Sequence, residues 1–169
     1  NMKMKTVLMG AVASLAFAPA AMAERGSDGQ LNIIYWQAPS ILNPYLSGGT
    51  KDLESASMIV EPLARYNETG ALVPFLAEEI PTVGNGGVSE DLTSITWKLK
   101  AGLLWSDDTP VTSADVAFTA EYCMHPEGGC AQASKFDGVQ SVEAIDDLTI
   151  KVTFDSPKPN PYGPFAGAQ

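Results

Sequence analysis

The stretch Trp97–Tyr122, WKLKAGLLWSDDTPVTSADVAFTAEY, is the most patterned part of the chain, and the rest is read outward from it. It continues an alternation in which Ile95, Trp97 and Leu99 share one face and Thr96, Lys98 and Lys100 the other. A period of two predicts a half-buried strand with its basic face in water. Ser106-Asp107-Asp108-Thr109 has the composition of a turn, and Pro110 stiffens its exit. Thr112-Ser113-Ala114-Asp115 fits a capping box, in which Thr112 accepts from the Asp115 amide and the Asp115 carboxylate reaches back. The spacing predicts a helix over Ser113–Met124, with Val116, Thr119/Ala120 and Cys123 on one apolar face.

Three carboxylates in this stretch invite a catalytic reading. General acid–base work needs carboxyls that converge on a cleft and whose environments split their pKa values. Asp107 and Asp108 are neighbours in a turn, and Asp115 has a capping role, so turn and cap chemistry accounts for all three. Trp97 and Trp105 have the chemistry to stack a ligand, but a Trp on an alternating strand belongs to the core.

The chain has 169 residues, 45 % of them hydrophobic and 8 % aromatic, which suits a domain with a real core or a piece of a larger protein. Its formal charge of −10 disfavours nucleic acid and anionic membrane surfaces as partners. Lys3 and Lys5, the apolar run Val7–Phe17 and the small-x-small site Ala21-Met22-Ala23 predict a bacterial secretory signal peptide over residues 1–23. No cysteine follows the apolar run closely, which gives no support for a lipid anchor.

Beyond it, Leu31–Ala38 (LNIIYWQA) reads as a buried strand, followed by a loop with two prolines and Gly48-Gly49. Asp52 is placed to cap a helix over Leu53–Val60. Asn67–Gly70 predicts a strand–turn–strand, and FLAEEIP a short helical turn closed by Pro81. The Gly-rich TVGNGGVSEDL lacks the Lys-Ser/Thr of a phosphate loop and reads as a surface turn. VQSVEAIDDLTIKVTF predicts two strands around Asp146-Asp147, with Ile150, Val152 and Phe154 inward. The proline-rich tail from Asp155 has no regular pattern.

The central stretch resembles the signature of family 5 extracellular solute-binding proteins, the dipeptide-, oligopeptide- and nickel-type receptors of ABC importers. That pattern is a Trp-bearing strand, Gly-x-x-Trp-Ser-Asp-Gly-x-Pro, then a capped helix with Asp-Val-x-Phe-Thr. Here it is carried by Trp97, Gly102, Trp105, Ser106, Asp107, Pro110, Asp115, Val116, Phe118 and Thr119. LNPYL, VEPLARYNETGALVPFLAEE and VEAIDDLTIKVTFDSPKPNPY sit around it in the family's order. Asp108 departs from the pattern, standing where the family usually has Gly, a position that asks for positive φ. The length departs too, because family members are much longer and have two lobes.

The resemblance implies an α/β (α+β) fold of the type II periplasmic-binding-protein kind, present in part as the first strand of lobe one plus an inserted subdomain. Residues 24–48 would be leader and first strand, 49–156 the subdomain, and 157–169 a segment returning toward lobe one. In that fold the loop after the first strand faces the cleft, which makes Gln37, Ala38, Pro39, Asn43, Tyr45, Leu46 and Ser47 the candidate ligand-binding residues. The competing reading is that Asn43-Pro44 only makes a turn, with Tyr45 and Leu46 packed beneath it.

Cys123 and Cys130 are the only cysteines, and an even pair in an exported chain implies a disulfide. The alternative, a metal held by Cys123, His125 and Cys130, has three ligands and no convincing fourth. The expected function is that of a periplasmic receptor subunit, without catalytic residues, metal or cofactor. It would capture a peptide or similar oligomeric solute and hand it to an ABC permease in the inner membrane, with the remainder of the receptor chain as a further partner. An exported hydrolase and a truncated, non-binding fragment are the alternatives.

Overall fold

A computed structural model describes residues 29–167, so the predicted signal peptide at 1–23 lies outside the described residues. The chain divides between Ile34 and Tyr35 into two units, and the elements below all belong to the second.

The centre is an antiparallel sheet in the order β3 (Ser94–Lys98), β5 (Thr149–Phe154), β4 (Val139–Asp146). Its register sets Trp97 opposite Ile150 and Ile95 opposite Val152. The period-two reading holds on both strands: Ile95, Trp97, Leu99, Ile150, Val152 and Phe154 are all buried, while Lys98 and Lys100 are exposed. Burying this face supplies most of the drive to fold, because each large apolar side chain removed from water contributes on the order of 1.5–3 kcal/mol. Helix α2, Ser113–Met124, covers the sheet and packs chiefly on β4. Its buried residues Val116, Ala120 and Cys123 recur at helical spacing, as the sequence predicts.

The predicted capping box is present at the start of α2, where the Thr112 amide donates to Asp115 Oδ2 at 2.8 Å. Ser113 fixes the same end to the sheet: its amide donates to Asp147 O at 2.9 Å and its hydroxyl to Asp146 O. At the other end Cys123 and Cys130 form a disulfide, with Cα atoms 4.9 Å apart.

A hairpin, β1 (Ala64–Tyr66) and β2 (Leu72–Pro74), flanks the sheet. Asn67 closes its turn by accepting at Oδ1 from the Thr69 amide, the Thr69 hydroxyl and the Ala71 amide, and Gly70 takes φ +80°. The tail beyond Phe154 has no helix or strand yet belongs to the core. Phe165 stands edge-on to Phe136, and Tyr162 edge-on to Trp97 with its hydroxyl donating to Pro81 O at 2.9 Å. Ala166 bridges Ala64 in parallel.

Three expectations are corrected. Leu31–Ala38 is not a strand: no residue in it takes strand structure, and Leu31, Ile33, Ile34 and Trp36 are exposed. An apolar run of this kind becomes a strand only when neighbouring strands satisfy its backbone. The first helix, α1, spans Thr50–Ala56 rather than Leu53–Val60, and its N-cap is Gly49. Asp52 lies inside the first turn, and Met58 and Ile59 beyond the helix are exposed. FLAEEIP forms no helical turn, because its backbone pairs with other segments. Ala77 bridges Leu99, the Glu78 amide donates to Lys98 O at 2.8 Å, and the Lys100 amide donates to Leu76 O at 2.9 Å.

Candidate functional site

The loop Ser40–Ser47 is organised by one carboxylate. Asp52, only 4 % exposed, accepts from the Ser40 amide at 2.6 Å, the Ile41 amide at 3.3 Å and the Ser47 hydroxyl at 2.7 Å. Lys51 Nζ stands 3.0 Å from it. The Ser47 hydroxyl, then the Ser40 amide, hold the Asp52 carboxyl far below the usual carboxylate range, outweighing the opposing effect of desolvation. It is therefore ionised at neutral pH, and the loop wraps it.

Within the loop Asn43 makes a turn: its Oδ1 accepts from the Tyr45 amide at 2.9 Å and its carbonyl from the Leu46 amide at 3.1 Å. The segment after the disulfide holds the far side. The Ala131 amide donates to Tyr45 O at 2.7 Å, and Gln132 Nε2 donates to Ser47 O at 3.2 Å and Pro44 O at 3.4 Å. Burial pushes the Tyr45 phenol up to about 12, so at neutral pH it keeps its proton and stays an O–H donor.

This loop forms one wall of an open groove of about 470 Å³. It is lined by Leu42, Asn43, Pro44 and Tyr45 of the loop, by Val60–Leu63, Leu76 and Phe165, and by Trp105, Val111 and the α2 residues Asp115, Val116, Phe118 and Thr119. The lining is mainly apolar, with carboxylates from Glu61 and Asp115. Trp105 is 45 % exposed and Phe118 68 %, so both present apolar surface at the rim.

Of the seven predicted ligand residues, Asn43 and Tyr45 line the groove. Leu46 is exposed outside it, Ser47 is committed to Asp52, and Gln37, Ala38 and Pro39 are exposed and do not line it. The turn reading of Asn43-Pro44 and the packing of Tyr45 on the core are both realised, alongside the groove. The core reading of the two tryptophans holds for Trp97 but is corrected for Trp105, which is 45 % exposed and lines the groove, and sequence reasoning missed Phe118 altogether. The available signal was Phe118, a large apolar residue off the core face defined by Val116, Ala120 and Cys123.

The three carboxylates of the central stretch do not converge. Asp107 accepts from the Thr109 hydroxyl at 2.6 Å and amide at 3.1 Å, and the Thr109 hydroxyl is the main cause of its lowered pKa. Asp115 serves the cap of α2, and Asp108 occupies the turn with φ +68°, the positive value expected where the family pattern has Gly. The disulfide takes both cysteines, which removes the Cys123/His125/Cys130 ligand set. Among the described residues no helix is long and apolar enough to cross a membrane.

The architecture is that of type II periplasmic binding proteins, seen in part. OppA of Haemophilus influenzae, solved in complex with RPPGFSPFR, superposes with a TM-score of 0.65 over 73 % of this chain and 26 % of its own, at 24 % identity. The A. tumefaciens binding protein AgaA, in complex with agropinic acid, superposes with a TM-score of 0.64 over 73 % of this chain and 24 % of its own, at 28 % identity. The chain belongs to the bacterial extracellular solute-binding proteins, family 5, whose middle region matches residues 71–168. The probable peptide ABC transporter periplasmic-binding protein y4tO of Sinorhizobium fredii is 37 % identical over 76 residues, covering 44 % of this chain and 14 % of that protein. The periplasmic murein peptide-binding protein MppA of Escherichia coli is 26 % identical over 138 residues, covering 72 % of this chain and 24 % of that protein. The chain thus spans about a quarter or less of the length of these relatives.

Proposed function

We propose that this chain is part of the substrate-binding component of an ABC importer, exported to the periplasm, where it captures a peptide or similar oligomeric solute. The family match over residues 71–168 carries the reading, and relatives named for peptide binding support it. Residues 24–48 and 157–169 would belong to lobe one, with 49–156 inserted as a subdomain. The complete receptor closes two lobes about a hinge, and the closed form delivers its solute to the inner-membrane permease. A loop wrapped on Asp52 and held by Ala131 and Gln132 offers a preorganised edge for that cleft, with backbone groups and the Tyr45 side chain as its contacts.

The test uses the protein isolated from a periplasmic extract, identified by intact mass and screened against short peptides by thermal shift. A ligand at a hundred times its Kd stabilises by about 2.7 kcal/mol, well within reach of that assay. Saturable stabilisation without turnover of the peptide is the expected result. Peptide hydrolysis by the pure protein would refute the reading in favour of an exported hydrolase, and no stabilisation by any peptide would refute peptide capture.

A further inference from the structure

Asn85-Gly86 is the one Asn-Gly step in the chain. Chemically this is the least durable asparagine context, because glycine has no Cβ to keep its amide nitrogen from the preceding side-chain carbonyl. Asn85 and Gly86 are exposed, so water and hydroxide reach them. The turn nevertheless engages every group the reaction needs. Asn85 Oδ1 accepts from the Thr82 amide at 2.7 Å and the Gly87 amide at 3.1 Å, and Nδ2 donates to Ile80 O at 3.0 Å. The Asn85 amide donates to the Thr82 hydroxyl at 3.1 Å, which makes Thr82 and Asn85 a reciprocal pair of the capping-box kind. The Gly86 amide, whose nitrogen would be the nucleophile, donates to Val83 O at 3.1 Å. The turn is also pinned to its surroundings. The Thr96 amide of β3 donates to Gly87 O at 2.7 Å and the Tyr162 hydroxyl to Pro81 O at 2.9 Å. Gly87 backs so closely on Pro81 that a Cβ there would lie 2.6 Å from Pro81 Cβ.

We propose that Asn85 is a covalent modification site, deamidated through attack by the Gly86 nitrogen, and that the native turn holds it shut until the segment opens locally. Gly86 N gives its proton to hydroxide and bonds to Asn85 Cγ. The Cγ–Nδ2 bond breaks, and ammonia leaves with a proton from water. Water then opens the cyclic imide at one of its two carbonyls, leaving aspartate or isoaspartate. In the folded turn the first step gives up the Gly86 bond to Val83 O, and the second gives up the Nδ2 bond to Ile80 O. The rate therefore follows the fraction of molecules in which the turn is open. Conversion also opposes closing again. In the aspartate product a carboxylate oxygen replaces the Nδ2 donor against Ile80 O, so two acceptors face each other. In the isoaspartate product the main chain is one carbon longer where Gly87 and Pro81 leave no slack. Modified molecules thus accumulate as a record of past opening beside β3, whether or not the groove captures a peptide.

The experiment ages the purified protein, its disulfide intact, in mildly alkaline buffer with and without guanidinium chloride. Peptide mass mapping reads each asparagine and separates aspartate from isoaspartate. In denaturant Asn85 should convert ahead of Asn32 and Asn67, neither of which precedes glycine. In native buffer its conversion should be at least about tenfold slower than in denaturant, because only the open fraction reacts. Thr82→Val removes the hydroxyl that receives the Asn85 amide, and should raise the native rate several-fold while leaving the denatured rate unchanged. Native conversion as fast as in denaturant, another asparagine converting first in denaturant, or a folded Thr82→Val variant no faster than wild type would each overturn the proposal. The wild-type comparison decides the matter alone if circular dichroism shows that the variant does not fold.

Discussion

Reducing the Cys123–Cys130 bridge is the perturbation whose size the structure fixes most directly. The bridge spans a sequence separation of 7. In the chain-entropy model a ring of about eight residues removes about 8 cal/mol/K from the unfolded chain, or about 2.5 kcal/mol at room temperature. Reduction also leaves a thiol at Cys123, 4 % exposed, where a small apolar group is already accommodated. Little further cost is therefore added on the folded side, and the entropic figure stands nearly alone. With a urea m-value of about 1–1.5 kcal/mol/M, the unfolding midpoint should fall by about 2 M when the chain is denatured with a phosphine reductant instead of without it. Hydrogen exchange at the Ala131 amide, which holds Tyr45 O, should accelerate in native buffer because the bridge closes the segment just before it. Midpoints within about 0.3 M of each other would refute the reasoning, since the oxidised loop would then impose no constraint worth measuring.

The other predictions concern single sites. Ile150→Ala, at a fully buried position opposite Trp97, should cost about 2–5 kcal/mol, while Ile145→Ala at a 56 % exposed position should stay within about 0.5 kcal/mol; urea denaturation of the pair decides it. Asp115→Asn should lower stability by about 0.5–2 kcal/mol through its cap hydrogen bond to Thr112, and an unchanged melt would remove that role. At the positive-φ turn position Asp108→Gly should match or raise the melting temperature and Asp108→Val lower it, and the reverse order would refute the backbone argument. Hydrogen bonds, chiefly from Ser47, depress Asp52, and hydrogen bonds, chiefly from Ser89, hold Asp91 at about 2. Their stabilisation is present above the unfolded aspartate pKa and is lost as pH falls through the folded values. Stability should decline from about pH 4 downward, and Asp52→Asn should flatten that decline in acid titrations followed by circular dichroism.

Where the deciding forces are local, the sequence is a good guide. The alternations at Ile95–Leu99 and Ile150–Phe154 announce two sheet faces because side-chain period and burial coincide. Helix α2 is legible to its end residues because Thr112 and Asp115 write its start and its buried face recurs at helical spacing. The misread elements depend on distant partners. Ala77 pairs with Leu99, which overrides the weak local tendency of FLAEEIP to turn. Asp52 has a cap's composition, but the amides of Ser40 and Ile41 outcompete that role from the preceding loop. The groove lining is readable only in part for the same reason. Asn43 and Tyr45 follow from loop position, whereas Phe118 joins them through the docking of α2.

The anchoring of the Ser40–Ser47 loop bears on how such a surface can change. Gln132 and Ala131 grip it through the carbonyl oxygens of Pro44, Tyr45 and Ser47, and Asp52 grips it through the amides of Ser40 and Ile41. From within the loop the Ser40 and Ser47 hydroxyls and the Asn43 side chain enter as side-chain partners. Leu42 and Leu46, both exposed, contribute no hydrogen-bonding side chain to that scaffold. Selection can therefore exchange the residues displayed at those two positions by small steps while the path of the chain stays the same, without refolding the loop.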